Sequence, residues 1–140
     1  MKLSRAMLTI GASLSLAACF NSNPSESDGK EAALKVYKQY IDSGDVVLAD
    51  FKKTDGTAMV QNGVSIYQMK VDVTLKFPKG IKCSIDLYKK TDPNYDAGKC
   101  ITLGKTLTDE APGATSTTPH QLTFIKSEKG WSLAPLIGYL

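Results

Sequence analysis

Few side chains in this sequence could do chemistry, and their types and spacing narrow the options quickly. A nucleophilic triad needs a base. The single histidine, His120, stands in a polar Ser/Thr/Pro stretch and reads as a solvated loop residue. No Gly-x-Ser-x-Gly turn occurs, so serine or cysteine hydrolysis has no support. The stretch Gly98–Gly104 lacks both the glycine spacing and the Lys-Ser/Thr pair of a phosphate loop. Cys83 and Cys100 stand 17 positions apart, and with one distant histidine they offer too few ligands for a metal site. Asp92, Asn94 and Asp96 echo the first half of a calcium loop, but the twelfth position is Leu103 instead of a bidentate glutamate. An Asp–Tyr pair in an apolar cavity would be Asp50 with Tyr67. Asp50, however, alternates with inward Phe51 and faces solvent, while Tyr67 begins an apolar strand face and reads as a core ring. The residues therefore predict no catalytic site and no cofactor. A recognition surface remains: Tyr88, Asp92, Tyr95 and Asp96 share one turn-rich segment, and tyrosine gives contact area at low entropic cost.

The amino terminus carries a different signal. Lys2 and Arg5 precede an uncharged apolar run, Met7–Ala18, which is far shorter than the roughly 20 residues that span a bilayer. That is the layout of a secretory signal peptide. The following Leu16-Ala17-Ala18-Cys19 resembles the lipobox of bacterial lipoproteins. The resemblance implies cleavage before Cys19, acylation of its thiol, and attachment to a membrane through that lipid. With Phe20 next, it further implies the periplasmic face of the outer membrane in a diderm cell. Several acyl chains hold where one is marginal.

Removing residues 1–18 from the 140 leaves 122, enough for one domain. Lys2 and Arg5 leave with the signal, so the net charge falls from +3 to near +1. Nothing in so balanced a chain calls for nucleic acid or another polyanion. With Cys19 acylated, Cys83 and Cys100 form an even pair in an oxidising compartment, which predicts a disulfide.

The expected organisation is a signal peptide over 1–18, a tether over 19–29 and one domain over 30–140. Asp28 and Glu31 have capping-box spacing. Ala33, Val36, Tyr37, Tyr40 and Ile41 then form one helical stripe that stops at Ser43-Gly44. Tyr67, Met69, Val71, Val73, Leu75 and Phe77 alternate with polar residues, which predicts a long half-buried strand. Around it the pattern predicts a strand over 46–53 with Val47, Ala49 and Phe51 inward, ending in a turn at Asp55-Gly56. It also predicts a short strand over 81–87, a surface loop over 88–98 and a strand over 100–107 with Ile101 and Leu103 inward. A loop follows over 109–119, and then a hairpin in which Leu122 and Phe124 face Trp131 and Leu133.

The fold class is thus α+β: one N-terminal helix packed on a four- to five-stranded antiparallel sheet. This order of elements resembles the cystatin-like and NTF2-like folds, on the helix ending at Gly44, the strand over 46–53, the long strand over 64–77 and the hairpin at Glu128-Lys129-Gly130-Trp131. The expected function is a membrane-anchored, non-enzymatic binding or protein-interaction module, with loops 88–99 and 109–119 facing a protein partner. The alternatives are a small-molecule carrier, or an NTF2-like enzyme with a pocket between helix and sheet.

Overall fold

The alternating segment is the spine of the molecule. In the computed structural model, which describes residues 22–84 and 95–135, it forms strand β2 (Val64–Phe77), paired antiparallel on both sides. All six expected core positions from Tyr67 to Phe77 are buried, while Lys70 and Lys76 of the other face are exposed. The sheet is a four-stranded meander in the order β1 (Val47–Gln61), β2, β3 (Ala114–Ser127) and β4 (Gly130–Leu133). One face is covered and the other is wet, the usual economy of an antiparallel sheet.

Helix α1 (Glu26–Asp42) covers the β1–β2 part of that inner face. It begins earlier than the Asp28–Glu31 spacing predicts, inside the stretch expected to be tether. Ser25 is the cap: its hydroxyl accepts from the Asp28 amide, and the Asp28 carboxylate accepts from the Ser25 amide at 2.7 Å. This reciprocal pair satisfies two helix-end donors, and its hydrogen bonds hold the Asp28 carboxyl below its usual range. Ser22 also belongs to the domain, its carbonyl accepting from Trp131 Nε1 at 2.9 Å. At the other end Ser43 caps the helix and Gly44 takes a φ of +71°, the left-handed stop that Ser43-Gly44 predicts. Ala33 and Tyr37 are buried; Val36, Tyr40 and Ile41 are half-buried against the core.

Several strand and loop expectations need correction. No turn occurs at Asp55-Gly56; β1 runs through it, and Gly56 is there because a Cβ would fall on the Tyr67 hydroxyl and lie 2.5 Å from its Cζ. A register shift between Leu48 and Asp50 re-aims the strand, so Val46 and Phe51 are buried while Val47 is 49% exposed. The segment 100–107 is not a strand. Its start belongs to a short helix, α2 (Ala97–Thr102), capped by Asp96, which leaves Ile101 exposed and Leu103 buried. Loop 109–119 gives way to β3 from Ala114 onward, placing His120 opposite Val71 inside the sheet. Of the strand expected over 81–87, the described part is a single bridge from Ile81 to Glu110. In the closing hairpin Phe124 does face Leu133, but Trp131 faces Lys126 and sets its ring 6.3 Å from that of Tyr67.

Cys83 and Cys100 are joined, their Cα atoms 5.7 Å apart. The bond ties α2 to the segment leaving β2. Asp109 reinforces that junction by accepting from the backbone amides of Cys83 and Ser84 at 2.7 and 2.8 Å. Asp45, just past α1, takes an ion pair from Lys99 of α2 at 2.7 Å, and this pairing lowers its carboxyl pKa.

Candidate functional site

A helix is about 10–12 Å across, whereas four strands spaced about 4.8 Å apart span more than that. α1 must therefore choose a side. Gly29 sets the choice: a Cβ there would lie 2.5 Å from Met69 Sδ and 2.9 Å from Phe51 Cζ, so only glycine lets the helix sit this low over β1 and β2. On the β3 side the inner face is left to α2 and the chain after it. The result is a cleft of about 890 Å³ between α1, the sheet and the α2 segment. Such a volume falls within the range of small-molecule sites.

Apolar side chains supply much of its lining: Val36 of α1 and exposed Ile101 of α2 stand at its surface, and the buried Ala33, Val71, Val73 and Leu122 lie beneath as its floor. Polar groups come from several elements, Tyr37 of α1 and Thr102 and Thr106 of the α2 segment among them, and from β3, whose inward register positions alternate as Ser116, Thr118 and His120 before turning apolar at Leu122 and Phe124. His120 Nε2 lies 3.2 Å from the Tyr37 hydroxyl, with the two rings edge to face at 6.4 Å between centroids. Burial pushes the His120 imidazole below its ordinary value, favouring the neutral ring. Above it, Gly104 at φ +66° brings backbone so close that a Cβ would stand 2.9 Å from Thr118 Cγ2 and 3.4 Å from His120 Cε1.

The Gly104 segment is seated by its neighbour. Lys105 is buried, pairs with Glu110 at 2.7 Å, bonds the Ser116 hydroxyl, and lies 5.8 Å over the Phe77 ring. Its charge is thereby compensated beside the cleft. Among the described residues no aspartate or glutamate lines the cleft. Lys70, at its wall, is exposed and pairs with Asp55 at 3.6 Å. This is a neutral, mainly apolar site with one imidazole–phenol pair.

The residues singled out by sequence fare differently. His120, expected as a solvated loop residue, is a half-buried strand residue on the cleft wall. Asp50 and Tyr67 are not brought together in any cavity: Asp50 is exposed, and Tyr67 packs against Trp131 and under Lys53. Tyr95 is exposed and Asp96 serves as the α2 cap, accepting from the Lys99 amide at 2.9 Å. Tyr88 and Asp92, like Cys19, lie outside the described residues. Among the described residues no cluster of metal-ligating side chains occurs. Sequence reasoning missed Tyr37 and Gly104 as site residues. The even-numbered alternation 116–124 is the signal that could have placed His120 on the inner face. Comparison with protein-family models, with curated proteins and with solved structures finds no match.

Proposed function

We propose that this chain is a lipid-anchored envelope module that binds a small apolar molecule in the cleft beside α1, without transforming it. The observation that carries the reading is the cleft itself, about 890 Å³ with Val71, Val73 and Leu122 in its floor and no carboxylate in its lining among the described residues. The export address rests on Lys2, Arg5, the apolar run to Ala18 and the lipobox-like Leu16-Ala17-Ala18-Cys19. Among the alternatives raised by the sequence, the carrier reading gains most from the geometry, because a cleft lies between α1, β3 and the α2 segment.

Titration of the purified protein with N-phenyl-1-naphthylamine tests the binding site. Saturable fluorescence enhancement is expected, and Val36→Trp, which fills the cleft from α1, abolishes it while leaving the melting temperature within a few degrees. Enhancement that never saturates, or that Val36→Trp leaves intact, refutes the assignment. The anchor is tested separately. Cys19→Ser moves the protein from the membrane fraction to the soluble one, and an unchanged distribution refutes the lipid attachment.

A further inference from the structure

The polar chemistry of the cleft narrows the ligand further, on the premise that the cleft is a binding site. We infer that it selects an uncharged apolar molecule bearing one hydroxyl or carbonyl group, held at that group by the His120 imidazole.

The argument starts at the ring nitrogens. Nε2 is engaged by the Tyr37 hydroxyl. Nδ1 has no hydrogen-bond partner among the described residues, yet no buried side-chain nitrogen or oxygen among them lacks one. Nδ1 is therefore reachable by solvent, on a residue that lines the cleft. A neutral imidazole presents one donor and one acceptor. Where Tyr37 donates to Nε2, Nδ1 carries the proton and takes a ligand carbonyl or hydroxyl oxygen. In the other tautomer Nδ1 accepts from a ligand hydroxyl.

Charge is excluded by what surrounds this point. Among the described residues, a ligand carboxylate would leave water and meet no unpaired cation on the walls, since Lys105 is held by Glu110 and Lys70 by Asp55. A ligand ammonium would meet no carboxylate on the walls among the described residues. An apolar body against Val36 and Ile101, over the floor of Ala33, Val71, Val73 and Leu122, with a single neutral polar group matches both halves of the site.

Four probes of one shape decide the matter: 2-naphthol, 2-acetylnaphthalene, 2-methylnaphthalene and 2-naphthoate, titrated calorimetrically at pH 7.5 with each affinity corrected for the probe's own water–octanol transfer. We expect 2-naphthol, 2-acetylnaphthalene or both to exceed 2-methylnaphthalene by about three- to tenfold, the worth of one hydrogen bond, with 2-naphthoate weakest. His120→Leu removes that preference and leaves 2-methylnaphthalene bound. Equal binding of 2-methylnaphthalene and 2-naphthol overturns this inference while the binding site stands, and so does a preference for 2-naphthoate. Failure of all four probes to saturate removes the binding site and the inference together.

Discussion

Lys105 offers the sharpest test of how the cleft wall is built. Its side chain is 7% exposed and that of Glu110 is 16% exposed, with 2.7 Å between Nζ and Oε1. Lys105→Met keeps the stem over the Phe77 ring and removes only the charge and its hydrogen bonds. Glu110 is then left as a nearly buried carboxylate with no cation. Removing one member of a buried pair costs about 3–5 kcal/mol, and the residual exposure of Glu110 places the expectation at the lower end, about 3 kcal/mol. In urea that corresponds to a midpoint lowered by about 1–3 M at an unchanged slope. Removing both charges has a different consequence. Lys105→Met with Glu110→Met deletes two desolvation penalties along with one attraction, so the double variant recovers most of the loss or exceeds the parent. Equilibrium urea denaturation of the parent, both single variants and the double variant completes the cycle. A Lys105→Met cost below about 1 kcal/mol, or a double variant as unstable as the single, refutes the claim that this pair is desolvated and mutually compensating.

Three further outcomes follow from other parts of the fold. Cys83→Ser with Cys100→Ser opens a covalent link across 17 positions and costs about 3 kcal/mol by the chain-entropy relation; denaturation midpoints with and without reductant measure it, and insensitivity to reductant contradicts it. Gly56→Ala drives a Cβ onto the Tyr67 hydroxyl and displaces that ring from Trp131, costing about 3 kcal/mol with a changed near-ultraviolet dichroism; a cost below about 0.5 kcal/mol shows that Tyr67 does not lie over β1. His120 titrates below 6.5 in the folded chain, so unfolding takes up a proton as pH falls beneath 6.5. Its contribution to stability is constant above 6.5 and declines from there down to the folded value. His120→Gln flattens that part of the profile, which stays separable from the carboxylates Asp28, Asp45 and Asp109, whose lowered values act below 3.8. Parallel profiles for parent and variant between pH 5 and 7 count against a buried imidazole.

What the sequence disclosed depended on how local the cause was. β2 reads correctly because six alternating apolar residues can bury together only as a strand, and the stripe from Ala33 to Ile41 needs only helical spacing. Ser43-Gly44 stops the helix for a reason contained in the two residues themselves. Asp55-Gly56 misleads because glycine serves two purposes. At Gly44 it supplies a positive φ, whereas at Gly56 it makes room for a ring from the next strand, a cause 11 positions away. Ile101 and Leu103 alternate like strand residues, yet a capping aspartate at 96 and a disulfide at Cys100 outweigh a two-residue pattern. Pro119 also misleads. It reads as a loop marker, but β4 reaches only as far as Phe124 on the far side of β3, so at Pro119 the strand has one ladder to satisfy and tolerates a residue without an amide hydrogen.

The site was hidden for a related reason. Tyr37 and His120 lie 83 positions apart, and neither is unusual in its own neighbourhood. Their meeting depends on three conditions that no window of sequence contains. Gly29 must let α1 settle over Met69 and Phe51, which biases the helix toward β1 and β2. β3 must begin as early as Ala114, so that Ser116, Thr118 and His120 face inward on the side the helix leaves uncovered. α2 must be too short to fill that space while Lys105 and the disulfide hold it in place. Polar residues on the inner face of β3 would be costly under a fully covering helix, because each would need a buried partner. Under a partial cover they cost little and leave Nδ1 of His120 accessible. The incomplete cover and the polar run on β3 are therefore two expressions of one design, and a helix shifted by one strand would lose both.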